Sequence, residues 1–172
     1  MKTLARIAST ISAWLAKIAL ALSCVGLLIL VFCMLVQVVS RYMLAAPLAW
    51  TEELARFAMV WAGLLGATVA FHRRADPVLL RRTSLPRWLR KPAQWLELIA
   101  LTMLSTSIVA ASPGFLTLAA ARTTETLQAP AALVVSIVPI SFSLMLVHAL
   151  ARALRLLSGE EEADDQGLEA QP

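Results

Sequence analysis

Between Ile18 and Ser40 the chain runs for 23 residues without one charged side chain. A bilayer's hydrocarbon core of roughly 30 Å needs about 20 helical residues, so this run is long enough to cross it. It is too long for the apolar region of a cleaved leader. Leu98–Ala121 is uncharged for 24 residues, and Leu127–Ala151 is uncharged with His148 near its end. Phe57–Phe71 is uncharged for only 15 residues. A span there must borrow the Glu52–Arg56 turn at one end and His72 at the other.

These runs predict an all-α membrane protein of four transmembrane helices with amphipathic interfacial helices. The spans fall at about 18–40, 52–72, 98–121 and 130–151, within a membrane domain of residues 18–157. Residues 1–17 form a lead-in, with Ile7, Ile11, Trp14, Leu15 and Ile18 on one face, expected to lie at the membrane surface. Residues 158–172 hold six acidic side chains and read as a disordered, solvated tail.

Composition agrees. Hydrophobic residues make up 59% and charged residues 15%, against about 45–50% and about 25% in soluble domains. Of the fifteen Lys and Arg, twelve fall at the N-terminus, in residues 72–97 or after the fourth span. Arg41, Arg56 and Arg122 are the other three. The positive-inside rule then places both termini in the cytoplasm. The basic residues flank spans, which accounts for them without nucleic acid. Seven of them lie in residues 72–97, which Pro77, Pro86 and Pro92 divide into short pieces. Such pieces are expected in the interface, on anionic lipid headgroups.

Chemistry is sparse. An ion-coupled transporter that works alone needs an ionisable group inside the membrane, and the spans contain no Asp, Glu, Lys or Arg between their ends. His72 and His148 both fall near the cytoplasmic ends, where His148 reads as an interface residue rather than a proton relay. Cys24 and Cys33 lack metal-ligand spacing. No nucleophile–base pair stands out. The expectation is a packed helical module that is not an enzyme and holds no cofactor or metal.

The most informative stretch is Arg41–Gly66. Arg41 and Tyr42 end the first span, and Ala45-Ala46-Pro47 breaks the helix. Thr51 is a candidate N-cap, with Glu52 and Glu53 placed against the helix dipole. Glu52 and Arg56 are four apart and in the favourable order. Arg41, Trp50, Glu52, Glu53 and Arg56 are read as an interfacial arm that either anchors the helix to headgroups or contacts a partner. Ala62, Gly66 and Ala70 form a small-residue stripe for helix packing. Pro139 falls inside the fourth span. Pro113-Gly114 is expected to kink or loosen the third, whose hydroxyls can bond within their own helix.

Two stretches resemble the small membrane subunit of tripartite ATP-independent periplasmic (TRAP) transporters, the DctQ-like family. Arg41, then Trp50-Thr51-Glu52-Glu53-Leu54-Ala55-Arg56, then Trp61 and Gly66-Ala67 resemble its R…W-x-E-E-x-x-R…W…G-A pattern. Val138-Pro139-Ile140-Ser141-Phe142-Ser143-Leu144-Met145 is similar to its last-helix pattern. Two positions depart. Asp76 stands where the family often has His, so no role of that His carries over, and Ser141 stands where Gly is usual. The resemblance implies a scaffold subunit beside a large membrane subunit that holds the sodium and substrate sites. It also implies a periplasmic binding protein that delivers an organic acid. The residues alone leave open a self-contained four-helix exporter or channel, or a membrane anchor for a redox enzyme.

Overall fold

The structure, a computed structural model, describes residues 2–43, 48–73 and 87–158. Asp76, most of the basic loop, Ala45-Ala46-Pro47 and all but the first residue of the acidic tail lie outside the described residues. The described residues form α1 (Lys2–Met43), α2 (Ala49–Arg73), α3 (Arg87–Ala120), the short α4 (Ala131–Val135) and α5 (Ile137–Ser158). Four helical stretches, with α4 and α5 counted as one, are long and apolar enough to cross a membrane.

Helix α1 runs unbroken for 42 residues, roughly 63 Å. The lead-in is therefore the first four turns of the helix that carries the first span. The reason lies in a pattern of small residues. Ala5, Ser12, Ala19, Gly26, Cys33 and Ser40 recur every seven positions, and all but the half-buried Gly26 are buried. A sustained seven-residue repeat keeps one seam of a helix against its neighbour. Here that seam crosses from the lead-in into the span without a break.

Helix α2 answers with Thr51, Ala55, Ala58, Ala62, Leu65 and Val69, all buried and alternately four and three apart. Lipid tails are as apolar as leucine, so close van der Waals packing holds such helices together. At the crossing, a Cβ added to Gly26 would lie 3.1 Å from Ala62 Cβ and 3.4 Å from the Ala58 carbonyl oxygen. Ser23 Oγ donates to the Ala62 carbonyl at 2.8 Å. Of the expected stripe, Ala62 lies on the seam, while Gly66 beside Ser23 and Ala70 are half-buried at its flank.

Helices α1 and α2 both pack on α5, and α3 packs on α5 and on α4. Ala19, Leu65, Val69 and Ile137 form one buried cluster, with Trp61, Val138 and Leu144 against it. The two stretches singled out in sequence thus meet in one core. Trp61 Nε1 also donates to the Val134 carbonyl at 3.2 Å. Pro139 sits in the first turn of α5. It has no N–H for the Val135 carbonyl four residues back, which accounts for the separation of α4 from α5 at Ser136. Ser141 is buried, and its hydroxyl donates to the Val138 carbonyl at 2.9 Å.

Helix α3 begins at Arg87, so Pro92 lies inside a helix rather than cutting a loop. It also continues through Pro113-Gly114. The Val109 carbonyl, which Pro113 cannot serve, accepts the Ser112 hydroxyl at 2.6 Å. In lipid every freed backbone group needs such a substitute. Thr102, Ser107 and Thr117 also bond within α3, as expected for its hydroxyls.

Candidate functional site

Buried polar groups gather at the two ends of the α1–α2–α5 packing. At one end lie the residues of the expected arm. Arg41 and Glu52 form an ion pair at 3.9 Å, with side chains 67% and 51% exposed. Pairs this exposed contribute about 0–1 kcal/mol. Among the described residues, the ion pair of Glu52 is thus with Arg41 and not with Arg56. Trp50 and Arg56 are exposed. Thr51 is not an N-cap: α2 begins at Ala49, and the buried Thr51 hydroxyl donates back to the Leu48 carbonyl at 2.7 Å.

Glu53 faces away from the arm. It is buried, and its Oε2 accepts the backbone N–H of Thr126 at 2.8 Å and of Leu127 at 3.0 Å. These amides belong to the α3–α4 connection, a small closed turn. Thr124 N donates to the Ala129 carbonyl and Ala131 N to the Arg122 carbonyl, each at 2.9 Å. Gln128 takes a left-handed conformation at φ 54°. Helix α2 is therefore pinned to the turn after α3 by one carboxylate. Neighbouring residues on a helix point about 100° apart, which sends Glu52 outward and Glu53 inward.

Beside the arm, α1 and α2 leave an open groove of about 760 Å³. Leu30, Met34, Val38 and Met59 supply apolar walls, with Gln37, Glu52 and Arg56 at its rim.

The other end is a cluster that sequence reasoning did not assemble. Ser12 Oγ lies 2.7 Å from His148 Nδ1 and 2.9 Å from His72 Nδ1. The two imidazole centroids are 5.0 Å apart. Arg152, one turn along α5, gives two N–H groups to Glu97 of α3, at 2.9 and 3.2 Å. Its guanidinium carbon lies 5.7 Å from the Phe71 ring centroid. Side chains from four helices meet here. His148 is 2% exposed, so it is packed inside the bundle.

Each member sits where its helix's seam leads. Ser12 is on the seven-residue repeat of α1, and His72 follows Val69 by three on α2. His148 is seven residues after Ser141 and eleven after Ile137, both buried on α5. The small-residue pattern thus signals the face of each helix on which Ser12, His72 and His148 lie, but not which faces meet. Among the described residues no group of three or more His, Cys, Asp or Glu could hold a metal. The cluster offers two imidazoles and a hydroxyl, a hydrogen-bonded set without the donors of a metal centre.

A family model described as Tripartite ATP-independent periplasmic transporters, DctQ component, matches residues 30–159. The match takes in the arm, both histidines and Arg152, and leaves out Ser12. No curated protein matches the chain.

Proposed function

The chain belongs to the DctQ component family of tripartite ATP-independent periplasmic transporters, and on that premise we propose that it is the static scaffold of its transporter. As a member it is a small transporter component and not an enzyme. Proteins of the family work with a large membrane subunit and a periplasmic binding protein. In our reading this chain sits in the inner membrane with both termini cytoplasmic and steadies the large subunit. That subunit would couple sodium entry to uptake of an organic acid.

One observation carries this reading. The helices are fastened to one another at both ends by buried polar groups, while broad apolar faces of α1 and α3 stay uncovered. Leu28, Phe32 and Leu35 on α1 and Leu96, Met103 and Leu118 on α3 are each more than half exposed. Alternating access needs elements that can adopt two arrangements around a central polar site. A bundle tied at both ends, with no Asp, Glu, Lys or Arg at mid-span, is suited to holding a moving neighbour.

The arm is then narrowed to Arg41, Trp50, Glu52 and Arg56, which face outward beside the α1–α2 groove and are assigned to contact with the large subunit. Glu53 is spent on the α3–α4 turn. Charge reversal at Glu52 together with Arg56 is expected to abolish co-purification with the large subunit and to stop uptake. Glu53→Gln, which leaves the outer surface unchanged, serves as control. An intact complex with normal uptake would refute the arm. Solute transport by this chain alone in liposomes would refute the scaffold, and a terminus labelled from the periplasm would refute the orientation.

A further inference from the structure

Helix α1 carries a second seven-residue pattern, on a face left exposed. Leu4, Ile11, Ile18, Val25, Phe32 and Val39 recur every seven positions. Ile7, Trp14, Ala21, Leu28, Leu35 and Tyr42 form a second row, three positions on. All twelve are exposed. At 100° per residue the two rows are centred about 130° around the helix from the buried Ala5–Ser40 row. They occupy the first and fourth places of a heptad sustained over six repeats, the pattern of a helix-to-helix seam.

Inside the bilayer such a pattern says little, because nearly every position there is apolar. It says more in the lead-in. There Thr3, Arg6, Ser9, Thr10 and Ser12 are polar, while Leu4, Ile7, Ile11 and Trp14 keep both rows apolar. Acyl chains do not reach that far. Membrane helices tilt by up to about 40°. At that inclination a rod of about 63 Å still projects about 48 Å along the bilayer normal, against a core of about 30 Å. The exposed Arg41 marks the boundary at the far end. About 15 residues at the near end therefore lie outside the hydrocarbon. Leu4 and Ile7 among them are 64% and 55% exposed, an apolar patch that calls for protein rather than lipid to cover it.

We propose that a second copy of this chain covers this face, with the two α1 helices parallel and in register. Two copies insert the same way round, so a two-fold axis along the bilayer normal sets each row against its own copy. The occupant has to present an apolar helix face as long as α1 that leaves the bilayer equally far, and a second α1 does both. Ile11, Ile18, Val25 and Val39 in the first place with Leu28 and Leu35 in the fourth is the combination that favours two parallel strands. Counting the two flanking places, four places in each of six heptads give 24 positions per copy, within the roughly 20–30 residues a side of a stable interface. Lys17 is the one charge in the flanking places, so no ladder of like charges opposes the pairing. Met34 of the groove and Arg41 of the arm fall on a different row. The pairing thus goes beyond the scaffold reading, does not rest on it, and leaves the arm and α3 to the large subunit.

Disulfide cross-linking of the full chain in native membranes tests the pairing, in a Cys24→Ser background because Cys24 is exposed. Ile7→Cys puts a thiol on the seam, and Arg6→Cys puts one off it at the same depth. Oxidation is expected to give a covalent dimer from Ile7→Cys and none from Arg6→Cys, with or without the large subunit co-expressed. Adding Leu4→Glu and Ile11→Glu to the Ile7→Cys chain sets like charges against each other and should abolish the product. Native mass spectrometry of the unsubstituted chain, released directly from its membrane, is expected to show two copies per particle and serves as the second readout should a variant fail to fold. One copy per particle, or equal cross-linking at the two positions, would overturn the pairing. So would an Ile7→Cys thiol shielded from maleimide yet not cross-linked, which would give the face to the large subunit or to another segment of this chain.

Discussion

The two ends of the bundle are locked by different means. At the Glu53 end one carboxylate oxygen accepts two consecutive backbone N–H groups of a turn. At the Ser12 end the bonds of Ser12 and the Arg152–Glu97 pair run between side chains, from four helices. The first lock needs one residue of fixed identity, because any residue but proline supplies an N–H at positions 126 and 127. The second needs Ser12, His72, His148, Arg152 and Glu97 together. The Glu53 lock should therefore tolerate change in its partner segment and fail locally, whereas the Ser12 lock should fail as a unit.

The largest effect is expected midway, where both ends depend on the same contact. Gly26→Leu forces a side chain against Ala62 and Ala58 and should destabilise the bundle by about 3 kcal/mol, as severe overpacking does. Denaturant titration in detergent would measure it, and amide exchange should rise at both ends together. Loosening confined to one end would show that the locks act independently of the seam.

Next comes Arg152→Ala. Removing one partner of a buried pair can cost about 3–5 kcal/mol. Here Glu97 is 42% exposed and can rehydrate, so a loss of about 2 kcal/mol is expected, chiefly from the guanidinium's hydrogen bonds and its contact with Phe71. Ser12→Ala should cost about 1 kcal/mol by leaving two imidazoles without their shared hydroxyl. The two substitutions should be non-additive in a double-mutant cycle if the cluster acts as a unit. Strict additivity would divide it into two unrelated contacts.

The smallest global effect belongs to Glu53→Gln, which keeps an acceptor oxygen but loses its charge. Amide exchange at Thr126 and Leu127 should quicken while the unfolding midpoint of the whole chain hardly moves. A large global loss would make the Glu53 end as integral as the Ser12 end, and the contrast between them would fall.

Much of the fold was legible because lipid imposes simple rules. Uncharged runs marked the four helical stretches that are long and apolar enough to cross a membrane, and the short Phe57–Phe71 run lies within the 25-residue α2. The end of the lead-in was not legible. Lys17 resembles a boundary in charge, yet the seven-residue spacing of Ala5, Ser12 and Ala19 passes straight through it. Small residues score weakly in any reading of hydropathy, so the strongest packing signal in the chain was the least conspicuous. Glu52 and Glu53 looked alike as neighbours at a helix start. Only the tertiary position of the α3–α4 turn separates them. The meeting of His72 with His148, 76 residues apart, depended on which helices pack together, which no local pattern states.

The continuity of α1 has a mechanical consequence. A rod of roughly 63 Å is about twice the hydrocarbon thickness, and between Lys2 and Met43 it has no hinge at which to fold. When the surrounding bilayer thins or thickens, such a rod can only change its inclination. With α2 zipped along it, the two must lean together, so a change in membrane thickness would reach any attached protein as a rotation rather than as a stretch.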